Sequence, residues 1–468
     1  MENITNKISP DENAGAVVNA CKTCAPLGAS LAMKGIAGSM CILHGSQGCA
    51  TYIRRYFISH FREPVDIASS SFSENTAVFG GKENLFNGIK NIIKKYNPKV
   101  IGIATTCLAE TIGEDISFYV KELEKIAESE NITFIHTDTA AYKGTHITGF
   151  LKMTAAAAKL AEPQELSYVS DKKLKLNIFP WMVSPGDIRG LKSLVKVLGI
   201  SATFLPDYSQ TMDGGAWSKY EAIPKGGTTI DNIKKMGGAN HSLEFGIISS
   251  EACSPASILE ENCNIPKSVL PLPIGLRATD LLINHLKELA EEYGCEINLS
   301  EELQDDRSRL LDAYADAHKY FSGTKAAVYG EADFVLSMAS YLCEIGIEPA
   351  ICMTGEKISL KQIEMIKETI NHFGFTETTV LADSDFTNLD EAILENMPDL
   401  LIGNSKGYKT ARKFGIPLVR AGFPIQDRFG GQRLQLTGYK GAQRLTDEIA
   451  NTIIAKRQAA SPVGYMSM

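Results

Sequence analysis

The stretch Val100-Ile101-Gly102-Ile103-Ala104-Thr105-Thr106-Cys107 decides the fold. It is a continuous apolar run, without the alternation of a half-exposed strand, so it reads as a strand buried on both faces of a parallel sheet. A helix over about Ile116–Ser129 follows, then strand Ile132–His136 and helix His146–Leu160. After the polar run from Glu162-Pro163 to Lys173 the pattern restarts. Strand Leu174–Phe179 leads to a helix that opens at Ser184-Pro185-Gly186-Asp187, with a capping residue and a proline in the first turn. Strands Ala202–Leu205, Glu244–Ser249 and Val269–Leu272 and helices Ala256–Asn262 and Ala278–Glu292 continue this series. The Gly-rich stretch Asp207–Asn240 interrupts it as a long interface or lid loop.

Helix Glu301–Phe321 bridges to a third series. Its strands are Lys325–Tyr329, Pro349–Met353, Thr378–Ala382, Asp399–Ile402 and Pro417–Val419. Its helices are Ala332–Ile345, Leu360–Phe373, Leu389–Met397, Gly407–Phe414 and Ala442–Ile454. Such alternation requires parallel sheets with right-handed crossovers and helices on both faces. The fold class is therefore α/β, with three Rossmann-like, doubly wound domains. The expected divisions are a tail at 1–18, domain I at 19–165, domain II at 170–296, a bridging helix at 297–322 and domain III at 323–468.

The 468 residues carry a net charge of −8, with 44% hydrophobic and 22% charged residues. That composition excludes a mostly disordered chain, and the acidic balance argues against a nucleic-acid partner. No run approaches the ~18–20 apolar residues of a membrane span, and residues 1–13 lack a basic-then-apolar secretory pattern. The sequence thus predicts a cytoplasmic protein with no membrane association, in which cysteines stay reduced.

There are ten cysteines. Cys253, Cys263, Cys295, Cys343 and Cys352 are scattered and read as packing residues. Cys107 ends the strand at Val100–Thr106, Cys49 follows the apolar stretch Met40–Leu43, and Cys24 sits in a loop before the helix-like Leu27–Lys34; all three are where open α/β sheets collect ligands. Thiolates there suit iron–sulfur clusters or zinc. The single Cys-x-x-Cys pair, Cys21 and Cys24, has no second knuckle, which excludes a zinc ribbon. Three thiolates also leave a four-metal cluster one ligand short, pointing to a partner chain or an open metal position.

The residues around these cysteines resemble the nitrogenase component 1 superfamily, on its β-type branch. His44-Gly45-Ser46-Gln47-Gly48-Cys49 looks like its second cluster-cysteine motif, running through Tyr52–Phe61 to Arg62-Glu63-Pro64 and Ala77-Val78-Phe79-Gly80-Gly81. Thr105-Thr106-Cys107-Leu108-Ala109-Glu110 looks like its third. Fainter similarity continues through His136-Thr137, Gly144-Thr145-His146, Pro273-Ile274-Gly275-Leu276, Tyr329-Gly330-Glu331-Ala332-Asp333-Phe334 and Ala421-Gly422-Phe423-Pro424. The resemblance implies three Rossmann-like domains and a paralogous α-type (E-like) partner in an α2β2 heterotetramer. It implies an ATP-dependent iron-protein reductase as a further partner. It also implies an iron–sulfur cluster shared between subunits, ligated here by Cys24, Cys49 and Cys107, of either a four-iron or an eight-iron P-cluster type.

Two branches compete. A catalytic β subunit relays electrons through a P-cluster-type centre. The N subunit of the assembly scaffold helps hold the iron–molybdenum cofactor precursor while it matures. The stretch Thr137–Gly144 is longer than in catalytic chains and lacks their ligand serine, with Thr139 as a poor substitute. Arg62–Ser70 and Asp427–Arg433 also look scaffold-like, whereas retention of all three cysteines runs the other way. The sequence leans toward the scaffold.

His44, Gly48, Thr106 and Arg54 are candidates for contacts around the cluster. For His44 the alternative is a hydrogen bond that fixes its turn. For Arg54, Arg55, His60 and Arg62 it is a solvated basic face. Glu110, Glu114 and Asp115 complement the dipole of the helix that follows Cys107. Cys21 and Cys41 are read as packing thiols. No phosphate-binding glycine signature is present.

Overall fold

The computed structural model describes residues 20–127, 131–164 and 173–463. Among these, three sheets form, and every strand pairing is parallel. The N-terminal tail through residue 19, and residues 165–172 of the expected linker, lie outside the described residues.

The first sheet contains β1 (Ser39–His44), β2 (Ala68–Ser69), β3 (Val100–Thr105) and β4 (Thr133–Thr137), in the order β2-β1-β3-β4. Both β1 and β3 are buried at every position, as the unbroken apolar run requires. The second sheet contains β5 (Lys175–Phe179), β6 (Ser201–Phe204), β7 (His241–Phe245) and β8 (Lys267–Leu270), ordered β6-β5-β7-β8. The third contains β9 (Lys325–Gly330), β10 (Glu348–Thr354), β11 (Thr379–Leu381), β12 (Leu400–Gly403) and β13 (Leu418–Arg420), ordered β11-β10-β9-β12-β13. Each order reverses once, between β1 and β3, between β5 and β7, and between β9 and β12. A crevice at the carboxyl ends accompanies each reversal.

The first two sheets belong to one compact unit, Thr23–Ala317 with Ala421–Glu448. Its returning segment is tied down by Asp187, a buried carboxylate. Asp187 accepts hydrogen bonds from Leu436 N (2.6 Å), Thr437 N (2.8 Å) and Thr437 Oγ1 (2.9 Å). The expected capping at Ser184 is present, with Ser184 Oγ accepting from Asp187 N at 2.9 Å. Helices Ala25–Lys34 and His146–Ala158 approach backbone to backbone. A Cβ on Gly28 would run into the His146 carbonyl, and one on Gly149 into the Ala25 carbonyl. Glycine is therefore required at both crossings, and the contact sets Cys24 beside Thr145.

One strand differs from expectation. The stretch Glu244–Ser249 leaves the sheet at Phe245, because Gly246 turns at φ +103° into the short helix Ile247–Ser250. Glu244 is buried and accepts from Ser254 Oγ (2.5 Å) and Ala256 N (3.1 Å). A local reading treats the following Ile-Ile pair as more strand, and Gly246 between the two runs is the one residue that marks the turn.

The third sheet forms the second compact unit, residues 318–420 with residues 20–22 and 449–463. Its core includes Cys21, Tyr329, Ile351, Met353, Phe386 and Leu401. Residues 20–22 are fastened by Lys406 Nζ, which donates to the carbonyls of Ala20 and Lys22 at 2.9 Å each. Glu356 accepts from Ala332 N at 3.1 Å. Loss of water around its carboxyl, and then the neighbouring Glu331, push it up to about 8 from an ordinary 4.5.

The sign of the pH effect follows. A raised folded-state value contributes stability that is complete below pH 4.5 and is lost as pH rises through 8. The loss is at most about 1.4 kcal/mol per pH unit over that window. The second unit's resistance to denaturant should fall as pH rises toward 8, and Glu356→Gln should flatten that dependence. An unchanged slope in the variant would refute the assignment.

Candidate metal centre

The carboxyl edge of the first sheet brings three thiols to three helix starts. Cys24 is extended (φ −76°, ψ 151°) and precedes helix Ala25–Lys34, with Pro26 in its first turn. Cys49 lies in the first turn of helix Gln47–Phe61, behind Ser46, whose Oγ accepts from Gly48 N at 3.4 Å. Cys107 opens helix Cys107–Ile112 directly after β3 and Thr106. All three are free and half-buried.

They also sense one another. Burial pushes the Cys24 thiol up to about 11, a hydrogen bond from the Leu27 backbone opposes this, and Cys49 and Cys107 raise it further. Cys49 is raised by burial first and by Cys107 second. Cys107 Sγ accepts a hydrogen bond from Ala141 N at 3.2 Å, the kind of contact that stabilises a thiolate. Among the described residues, no three His, Cys, Asp or Glu side chains form a group able to hold one metal ion. Soft thiolates suit an iron–sulfur cluster. The hydroxyls of Thr23 and Thr106, each next to a ligand candidate, are buried without a hydrogen-bond partner. The donor set itself, three free soft thiols at one sheet edge, fits such a group.

The other candidates divide. His44 is fully buried, with Nε2 3.1 Å from Glu114 Oε2 and Nδ1 3.1 Å from Ser70 Oγ. It therefore fixes its turn, as the plainer reading held. Gly48 is exposed, and a Cβ there would meet only Ser46 Oγ, so nothing within this chain requires glycine. Arg54 bonds to the stretch after its helix: its Nε donates to Val65 O at 2.8 Å and its Nη2 sits 3.4 Å from Asp66 Oδ1.

The basic stretch is not one solvated face. His60 is buried, accepts from Ile425 N at 2.9 Å, and is pushed down to about 4 by burial. Arg62 donates to Gln426 O and stacks over Phe429. Thr139 is committed elsewhere, its hydroxyl donating to Thr105 O at 2.6 Å. Cys21 and Cys41 are buried packing thiols. The acidic trio also separates: Glu110 pairs with Lys143 (2.9 Å), Asp115 accepts from Phe118 N (2.9 Å), and only Glu114 turns inward. The sequence marks Glu114 only as a helix-dipole acid and gives Ser70 and the Ala141 amide no role, because no local pattern reveals partners 70, 26 and 34 residues away.

In the metal-free chain, alkylation of Cys24 should be slow at neutral pH and rise about tenfold per pH unit toward 11, following its thiolate fraction. Cys24 should lag behind Cys49. Peptide mass spectrometry checks this, and a Cys24 rate already level by pH 9 would contradict it.

Comparison with known proteins adds to this geometry. The family model for nitrogenase component 1 type oxidoreductases matches residues 24–454. The nitrogenase molybdenum–iron protein β chain of Clostridium pasteurianum is 36% identical over 444 residues, covering 94% of this chain and 93% of that one. The vanadium–iron protein β chain of Trichormus variabilis is 32% identical over 464 residues, covering 97% of each. A solved structure described as nitrogenase Cp1 at pH 6.5 superposes with a TM-score of 0.90 at 34% identity, covering 98% of both chains.

Proposed function

The chain belongs to the nitrogenase component 1 family, in its β-chain type, and from that premise we propose that it is the β subunit of a nitrogenase-type reductase. Cys24, Cys49 and Cys107 supply thiolates to an iron–sulfur cluster of the eight-iron P-cluster type. An α-type partner in an α2β2 assembly completes the ligand set. The single observation that carries this reading is the placement of three free, half-buried thiols at three helix starts along one sheet edge. Similarity to chains named as molybdenum–iron and vanadium–iron β chains favours this role over the scaffold role toward which the sequence details lean.

When bound, the cluster supplies one-electron storage and transfer. This chain's residues hold and orient its ligands. The backbone contacts of Cys24 and Cys107 stabilise thiolates, and the buried hydroxyls of Thr23 and Thr106 offer donors that can tune potential. Val78 and Phe79, 75% and 86% exposed, stand on helix Glu74–Phe79, which packs against the Cys107 helix. Such an apolar rim suits burial by a partner. Electrons come from an ATP-dependent iron-protein reductase, and the metal of the catalytic cofactor resides in the partner.

The scaffold reading stays as the second one, favoured by Thr139, whose hydroxyl is tied to β3 where catalytic chains present a serine ligand. Anaerobic purification with the α-type partner separates the two. Substrate reduction dependent on the reductase and MgATP supports the catalytic role. A complex that contains iron and accepts a cofactor precursor without turnover supports the scaffold. An iron-free, colourless complex overturns both. Replacing Cys24, Cys49 or Cys107 with Ala should lower iron content, while Cys41→Ala should not; full iron in all three variants would refute the ligand assignment.

A further inference from the structure

A line of four hydrogen bonds runs behind two of the thiols. Gly45 N donates to Ser70 Oγ at 2.9 Å. Ser70 Oγ lies 3.1 Å from His44 Nδ1, His44 Nε2 lies 3.1 Å from Glu114 Oε2, and Gly81 N donates to Glu114 Oε1 at 2.7 Å. Burial lowers the basicity of His44, which favours the neutral ring. With a neutral ring one assignment of protons satisfies every member. Ser70 donates to Nδ1, and Nε2–H donates to Glu114.

The line joins two loops that each carry a thiol. Gly45 (φ +153°) immediately precedes Ser46, the cap of the Cys49 helix. Glu114 follows Gly113 (φ +81°), which ends the Cys107 helix, and its backbone N donates to Ala109 O at 3.1 Å. A direct bond from Thr106 N to His44 O, at 3.0 Å, reinforces the joint. Thr106 packs so closely on Gly45 that a Cβ there would strike its side chain. The side chains of His44 and Glu114 are 0% and 4% exposed. Leaving either partner unpaired in such a place is costly, so the pair has little freedom to shift singly.

We propose that the His44–Glu114 pair, anchored on Ser70 and Gly81, is a positioning clamp that fixes the spacing of the Cys49 and Cys107 helix starts and thereby tunes the cluster they hold. It rests on the ligand assignment made above. Neither residue is a ligand. Each acts through the backbone that carries one. Because Glu114 also grips Gly81, which follows Val78 and Phe79 by only a few residues, the clamp connects the exposed apolar rim with the thiol loops.

The test uses the anaerobically purified complex with its α-type partner, in wild-type, Glu114→Ala, His44→Leu and Glu114→Gln forms. Iron content, the cluster's midpoint potential and its electron paramagnetic resonance signal are read, with thermal unfolding alongside. Glu114→Gln keeps an acceptor for Gly81 N, and its amide can donate to the His44 ring once that ring changes tautomer. It should stay close to wild type. Glu114→Ala and His44→Leu should retain iron but shift the potential beyond the scatter between preparations and broaden the signal. Arg54→Ala, which removes a bond to Val65 O, is the structural control and should lower the unfolding temperature without moving the potential.

If Glu114→Ala fails to fold, Glu114→Asp, one methylene shorter and unable to span both partners, carries the same expectation. Wild-type potential and signal in the clamp variants, with only unfolding affected, would overturn the proposal. An iron-free wild-type complex would instead refute the ligand assignment and the clamp with it.

Discussion

The in-register parallel pairing of β1 with β3 is the constraint on which the metal centre depends. Ser39 lies opposite Val100 and His44 opposite Thr105, so both strands end at the same level. The chain then turns at once on each side, into Ser46 and the Cys49 helix and into Thr106 and the Cys107 helix. A slip of one residue would turn the buried strand faces over and separate the two thiol loops. Cys24 reaches the same edge by another route. The glycine crossing of Gly28 and Gly149 draws its helix against the helix that follows Thr145.

The electrostatics of the edge follow from this arrangement. Three thiols are partly withdrawn from water; Cys49 and Cys107 raise the proton affinity of Cys24, and Cys107 raises that of Cys49. Without a metal that environment keeps Cys24 protonated at neutral pH. Binding of a cationic iron–sulfur body would reverse the balance, since coordination displaces the thiol proton and gives the thiolate a direct counter-charge. The Ala141 N–H already donates to Cys107 Sγ, a contact that a thiolate would strengthen.

The parts of the molecule legible in the sequence were those governed by local rules. β3 begins and ends where the apolar run does, and helix Glu301–Phe321 has the expected bounds. The Ser184 cap was visible because its partner is three residues away. The thiols stood out because a strand-to-helix turn is a recognisable place. The clamp behind them was not legible: His44 looks like part of a glycine-rich turn and Glu114 like a helix-dipole acid. Their pairing is created by strand register, which brings together residues 70 positions apart. His60 misled for the same reason. Its basic neighbours suggest a wet face, but packing against Phe423 and a bond to Ile425 bury it. The choice between scaffold and catalytic branch depends on a partner subunit, so features such as Thr139 bear on it only indirectly.

The central claim is that Cys24, Cys49 and Cys107 jointly ligate one iron–sulfur body. Anomalous diffraction at the iron edge, from crystals of the anaerobic complex with the α-type partner, tests it most directly. One compact group of iron peaks is expected within bonding distance of all three Sγ atoms and of thiolates from the partner. Iron density that misses these three sulfurs, or three reduced thiols with no iron beside them, would contradict it.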